Sequence, residues 1–177
     1  NNNNNDNNNA ITENTPVQPT SYYGIAKYAS ERMLQKVMPR GLVIIRPPQI
    51  YGPGDMPCYG PSGFLHAALR QEPLVLWGDG QEKREFIFVD DVVSIVEKLL
   101  FTDYEGVLNI ASGNSYSYQE IIEILQADHS LSPRVSSRER TQHKVDHTFN
   151  NQKLKTLFPA FCFTPLSYGI KKMVEAP

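Results

Sequence analysis

Tyr22-Tyr23-Gly24-Ile25-Ala26-Lys27-Tyr28-Ala29-Ser30-Glu31-Arg32-Met33-Leu34-Gln35-Lys36-Val37, then Met38-Pro39-Arg40-Gly41, then Leu42-Val43-Ile44-Ile45, is the stretch that decides the fold class. Its first part holds no proline and one glycine, which predicts a helix from about Tyr22 to Val37. Pro39-Arg40-Gly41 ends that helix, because proline lacks an N–H and clashes with the preceding turn. Leu42 to Ile45 is then a short apolar, β-rich run of the kind found in a buried parallel strand. A helix feeding such a strand, repeated along a chain, indicates an α/β fold.

The alternation continues downstream. Gly52 to Gly63 reads as a Gly/Pro-rich loop, Phe64 to Arg70 as a short helix and Leu74 to Trp77 as a strand. Gly78-Asp79-Gly80 is a turn whose glycines supply positive φ. Glu85 to Val89 alternates as a strand, and Asp90 is read as the cap of a helix with Val92, Val96, Leu99 and Leu100 on one face. Val107 to Ile110 is a further strand. Ser117-Tyr118-Gln119-Glu120 has the spacing of a capping box and opens a helix to Leu125. Two more helices fall near Gln152 to Leu157 and Leu166 to Val174, and no internal repeat is visible. Upstream, Asn1 to Asn9 is asparagine broken once by Asp6. That segment has no apolar side chain to bury, so it reads as disordered or artefactual, with native sequence missing upstream of Ala10.

Composition narrows the function classes. A chain of 177 residues with 40% hydrophobic residues can build one core, or a domain and a half. Its 17 basic and 19 acidic residues give a net charge of −2, without the basic excess that nucleic acid or an anionic membrane calls for. No run approaches the ~18 apolar residues that span a bilayer. Cys58 and Cys162 stand far apart with no CxxC, which argues against a disulfide framework and for a reducing, cytoplasmic setting. His66, His129, His143 and His147 have no ligand spacing, so no metal is predicted.

The chemistry begins with Tyr23 and Lys27, which sit at i and i+4 and so share one face of the predicted helix. A free tyrosine, with a pKa near ~10, is a poor base at neutral pH, and a neighbouring ammonium favours its phenolate. Tyr23 is thereby a candidate acid/base. The motif is weak alone: Tyr168 and Lys172 repeat the spacing, and nine tyrosines make a chance match ordinary.

Context separates the two pairs. Thr12-Glu13-Asn14-Thr15-Pro16 with Pro19-Thr20-Ser21-Tyr22-Tyr23-Gly24-Ile25-Ala26-Lys27 resembles the active-site segment of extended short-chain dehydrogenases, the family of nucleotide-sugar epimerases and dehydratases. Arg46-Pro47-Pro48-Gln49-Ile50-Tyr51-Gly52-Pro53-Gly54 is similar to that family's Arg-Pro-x-x-Val-Tyr-Gly-Pro-Gly segment. Trp77-Gly78-Asp79-Gly80-Gln81 with Arg84-Glu85-Phe86-Ile87-Phe88-Val89-Asp90-Asp91 resembles its next signature, and Asn109-Ile110-Ala111-Ser112-Gly113 follows in order. Together these segments cover nearly all of Thr12 to Val174.

The resemblance implies the C-terminal part of a Rossmann-type parallel sheet plus a small α/β substrate domain. It divides the chain into residues 10–60, the end of the NAD(P)-binding part with the Tyr/Lys helix, and residues 61–177, the substrate domain, with strands near 85–110 returning to the first part. It implies Tyr23 as acid/base with Lys27, both beside the cofactor, NAD or NADP, and Arg46, Pro47 and Pro48 along the nicotinamide ribose. It implies that Gln49, Arg84 and Arg140 bind a nucleotide-diphosphate sugar. Gln49 stands in place of the family's asparagine, and Arg140 precedes an Asn150-x-x-Lys153 in which Asn replaces the family's Asp. Without the family pattern, Arg84 between Lys83 and Glu85 reads first as a member of an exposed ion pair, and Arg134, Arg138, Arg140 and Lys144 as a solvated basic face; the pattern reverses the order for Arg84. The family's Gly-x-x-Gly-x-x-Gly run does not occur in these residues, and the resemblance places it upstream, in a full-length homodimer. The competing reading is a non-catalytic module that keeps a nucleotide-sugar pocket or dimer surface without a cofactor.

Overall fold

The computed structural model describes residues 10–58, 60–141 and 143–175; the asparagine-rich segment 1–9 lies outside the described residues. The chain opens on α1 (Tyr22–Val37), with the predicted bounds. The Ser21 hydroxyl accepts from the Gly24 amide at 3.1 Å, satisfying one of the free donors of the first turn.

Beyond α1, β1 (Val43–Arg46) and β2 (Gln49–Tyr51) are separated by Pro47 and Pro48. Two residues without N–H groups break the ladder there, and the chain changes partners. Then come α2 (Gly60–Leu69), β3 (Pro73–Trp77), β4 (Lys83–Phe88), α3 (Val89–Leu99), β5 (Gly106–Asn109), β6 (Ser115–Ser117), α4 (Tyr118–His129), β7 (Arg134–Arg138), α5 (Gln152–Leu157) and α6 (Leu166–Glu175). β1 pairs parallel with β5, β2 parallel with β4, and β3 parallel with β7; β6 joins β4 antiparallel. This is a mixed α/β fold with parallel sheets.

β4 organises the packing. Phe86 and Phe88 join Tyr51, Leu65, Ile121, Leu125, Leu166 and Ile170 in a core under α2, α4 and α6. Ile87, on the opposite face, joins Ile95, Leu99, Leu108, Ile110 and Leu154 under α3 and α5. Burial on both faces leaves β4 without the predicted alternation of exposed and buried positions. A smaller cluster, Leu74, Leu76 and Ile122, seats β3 on α2 and α4.

Several expectations are corrected. α2 begins at Gly60, inside the predicted loop. Asp90 does not cap α3: the cap position is Phe88, with no side-chain bond, and Asp90 is exposed in the first turn. The buried carboxylate is Asp91, which accepts from the Thr164 amide and hydroxyl, both at 2.9 Å. Leu100 is 76% exposed and leaves the helix face assigned to it, because it lies just past the end of α3. In β1 only Ile44 is buried; α1 has no buried residue and does not close the other face. Among the described residues no helix is long and apolar enough to cross a membrane.

Candidate functional site

Apart from Tyr23 and Pro48, the residues singled out in the sequence fall around three cavities. The first, of about 360 Å³, is lined by Thr12, Pro19, Gly24, Lys27, Glu31, Arg46, Pro47 and Asn109 among others. Arg46 spans from β1 to α1 through a two-point ion pair: its Nε donates to Glu31 Oε1 at 3.0 Å and its Nη2 to Oε2 at 2.5 Å. That fork fixes the helix carrying Lys27 against the strand that ends at Arg46, just before Pro47. Asn109 aligns with Arg46 across the β1–β5 ladder, and its side-chain amide nitrogen is buried with no partner among the described residues. A buried donor left unsatisfied costs free energy, so it marks a position where a ligand acceptor is favoured.

Tyr23 is 74% exposed and does not line this cavity; the Lys27 ammonium lies 5.6 Å from its ring centroid. The Tyr168 and Lys172 pair has the same geometry at 5.5 Å. Helix spacing sets both distances, and only the surroundings differ. Lys27 faces the cavity with Arg46, Pro47 and Asn109, whereas Tyr168 sits beside Gly169 and Ile170, which pack on the core. Pro48 lines none of the three cavities.

The second cavity, about 350 Å³, is lined by Gln49, Tyr51, Asp55, Met56, Gly60 and Phe86 among others. Gln49 is exposed and aligns with Phe86 across the β2–β4 ladder. Arg84, two residues before Phe86, shares that face of β4, since strand side chains alternate.

The third cavity, about 300 Å³, is lined by Trp77, Glu82, Arg84, Arg140, Thr141 and His143. Here Arg84 and Arg140, remote in sequence, meet on one carboxylate. Arg84 Nη2 donates to Glu82 Oε1 at 2.5 Å and Arg140 Nη1 to Glu82 Oε2 at 2.8 Å. Burial pushes the Glu82 carboxyl up, but the hydrogen bonds from Arg140 and Arg84 outweigh it and hold the group below the usual glutamate range. Gly78, at φ +62°, leaves room for Arg140: a Cβ there would stand 3.1 Å from its Nε. Arg84 is thus ion-paired, but to Glu82 rather than Glu85, and in a sheltered position, the two side chains being 17% and 14% exposed.

Glu82 has no signal in the sequence beyond its place two residues before Arg84. Glu85 is a second residue the sequence does not reveal. It is 1% exposed, and its Oε1 accepts from the Ser112 amide, from the Ser112 hydroxyl at 2.9 Å and from the Gly113 amide at 3.0 Å. Burial raises its carboxyl above the usual range, against those hydrogen bonds. It holds the turn between β5 and β6 in place. Among the described residues no cluster of His, Cys, Asp and Glu is arranged to hold a metal.

The model of the NAD dependent epimerase/dehydratase family matches residues 3–111. An uncharacterized UDP-glucose epimerase of Bacillus subtilis is 26% identical over 141 residues, 77% of this chain and 42% of that protein. The structure of MoeE5 in complex with UDP-glucuronic acid and NAD is similar with a TM-score of 0.82 at 28% identity, covering 94% of this chain and 58% of that one. UDP-glucuronic acid 4-epimerase from Bacillus cereus, solved with UDP-glucuronic acid and NAD, gives a TM-score of 0.81 at 25% identity, covering 93% of this chain and 55% of that one. The chain spans about half the length of the relatives it matches.

Proposed function

The chain belongs to the NAD dependent epimerase/dehydratase family, and from that premise we propose that it forms the substrate side of an NAD-dependent nucleotide-sugar epimerase or dehydratase and carries its Tyr23/Lys27 pair. Residues 10–60 are assigned to the end of the cofactor-binding part and residues 61–177 to the substrate domain. The observation that carries the reading is the convergence of Arg84 and Arg140 on one cavity. Two planar, permanently charged forks on one anionic centre suit a diphosphate, whose oxygens accept in pairs. The solved relatives were captured with UDP-sugars and NAD, which favours a nucleotide diphosphate at the arginines and NAD as the cofactor. The two free, exposed thiols suit a reducing cytoplasm.

The cavity between α1 and β1 fits one end of that cofactor. Asn109 offers its orphaned donor, Lys27 its ammonium, and Pro47 a wall without an N–H to satisfy. Bound NAD supplies hydride-acceptor chemistry at a sugar carbon. Tyr23, as the phenolate, would take the proton from the hydroxyl on that carbon and become neutral, and Lys27, one turn away on the same face, would offset the phenolate charge before the transfer. Arg84 and Arg140 hold the diphosphate and so fix where the sugar reaches.

Titration of UDP-glucose into the Arg84 variants tests the substrate assignment. Arg84→Ala weakens binding by about 1.5–3 kcal/mol, the size of a charge-assisted hydrogen bond, while Arg84→Lys recovers part of the loss. Equal binding by Arg84→Ala and the wild type would leave Arg84 a structural residue, paired with Glu82 rather than with substrate.

A further inference from the structure

The two arginines are not vacant. One nitrogen of each fork is oriented by main-chain carbonyls: Arg84 Nη1 donates to Lys83 O at 2.8 Å and Val145 O at 2.5 Å, and Arg140 Nη2 to Trp77 O at 3.2 Å, with the exposed Asp79 carboxylate 4.0 Å from that Nη2. The other nitrogen of each fork goes to Glu82, one to each carboxylate oxygen. Carbonyls therefore orient the guanidiniums, and the charge they bind is supplied by the chain itself. A carboxylate whose two oxygens bridge two guanidiniums presents what two oxygens of a phosphoryl group would present. Glu82 also lines the same open cavity as both arginines.

We propose that Glu82 is a tethered anion occupying the diphosphate subsite of the ligand-free protein, which a nucleotide diphosphate displaces to bind, so that Glu82 sets the affinity of the site. This rests on the assignment of Arg84 and Arg140 to the diphosphate. The arginines need not rearrange on exchange, because their carbonyl partners stay. The fraction of protein with Glu82 swung away is the binding-competent fraction, and the apparent dissociation constant rises as that fraction falls. A diphosphate carries more charge than the single carboxylate it replaces, so the exchange favours it over singly charged ligands. A purely structural Glu82, a strut that holds the forks in place, predicts the opposite sign: removing its charge would loosen the arginines and weaken binding.

The test is calorimetric titration of the full chain with UDP-glucose, in the wild type, Glu82→Gln, Glu82→Asp, Arg84→Ala and Arg140→Ala. Glu82→Gln, which keeps shape and removes charge, tightens binding roughly tenfold or more, as expected when a charged competitor holding a minor open fraction is removed. Glu82→Asp, one methylene too short to span both forks, tightens it less and carries the test where thermal melting shows the Gln variant unfolded. Unchanged or weaker binding by Glu82→Gln, with binding still weakened in Arg84→Ala, overturns this inference and leaves the diphosphate assignment standing. Wild-type binding that survives both arginine substitutions overturns the assignment itself. Binding by neither the wild type nor Glu82→Gln overturns both.

Discussion

Tyr23 and Tyr168 each have a lysine one turn on, at nearly equal distances, so only their surroundings distinguish them. Lys27 borders a cavity with an orphaned amide donor, and Lys172 is exposed on α6. In the whole protein, Tyr23→Phe lowers turnover of a nucleotide sugar by on the order of 10²–10⁴-fold, the usual loss for an acid/base. Tyr168→Phe leaves it near the wild type; equal effects in steady-state kinetics would refute the assignment. Glu85 gives a second test. Its carboxyl is raised by burial, so the folded chain holds the proton to higher pH than the unfolded chain. The native state then binds more protons, and stability falls as pH rises from the ordinary glutamate range through the raised value. Glu85→Gln accepts the same bonds from Ser112 and Gly113 through its carbonyl oxygen, and urea midpoints show its advantage over the wild type growing between pH 5 and pH 8. A wild type that gains on the variant over that range would contradict the sign. The sequence shows Arg84 and Arg140 through family pattern, but hides Glu82 and Glu85, because an acidic residue beside a lysine or arginine reads as solvated until burial is known.

At the scale of elements, what is legible depends on how each is held. α1 and α4 are readable because their ends are written locally: Ser21 caps the first, and Ser117 with Glu120 forms the capping box of the second. β7 is invisible to periodicity. Arg134-Val135-Ser136-Ser137-Arg138 is exposed throughout and is held by its parallel ladder to β3 and by Arg138 stacked 3.3 Å over the Trp77 ring. β2 and β6 are too short to show a period. α6 makes one especially close approach, since a Cβ on Gly169 would collide with the Tyr51 hydroxyl, itself buried without a partner among the described residues. Gly169→Ala therefore destabilises by roughly 1–3 kcal/mol despite the better helix propensity of alanine. Tyr51→Phe in the same background restores part of that loss, a coupling that a double-mutant cycle in urea measures. Additive effects would mean that α6 does not rest on Tyr51 as described.

At the scale of the molecule, the arginines and the Tyr/Lys pair lie in residues that contain no Gly-x-x-Gly-x-x-Gly run, the element that lets a helix terminus approach a dinucleotide pyrophosphate. α1 leaves Tyr22, Ile25, Met33, Leu34 and Val37 exposed, and the sequence cannot show this, because its apolar pattern is the same whether or not another surface covers the helix. On the proposed reading, the groups assigned to the diphosphate lie in residues that lack the pyrophosphate turn for the cofactor. The most direct measurement is paired calorimetry on these 177 residues with UDP-glucose and with NAD. Saturable heat from UDP-glucose, weakened in Arg84→Ala, and none from NAD is the expected result; micromolar binding of NAD with no response to UDP-glucose would contradict it.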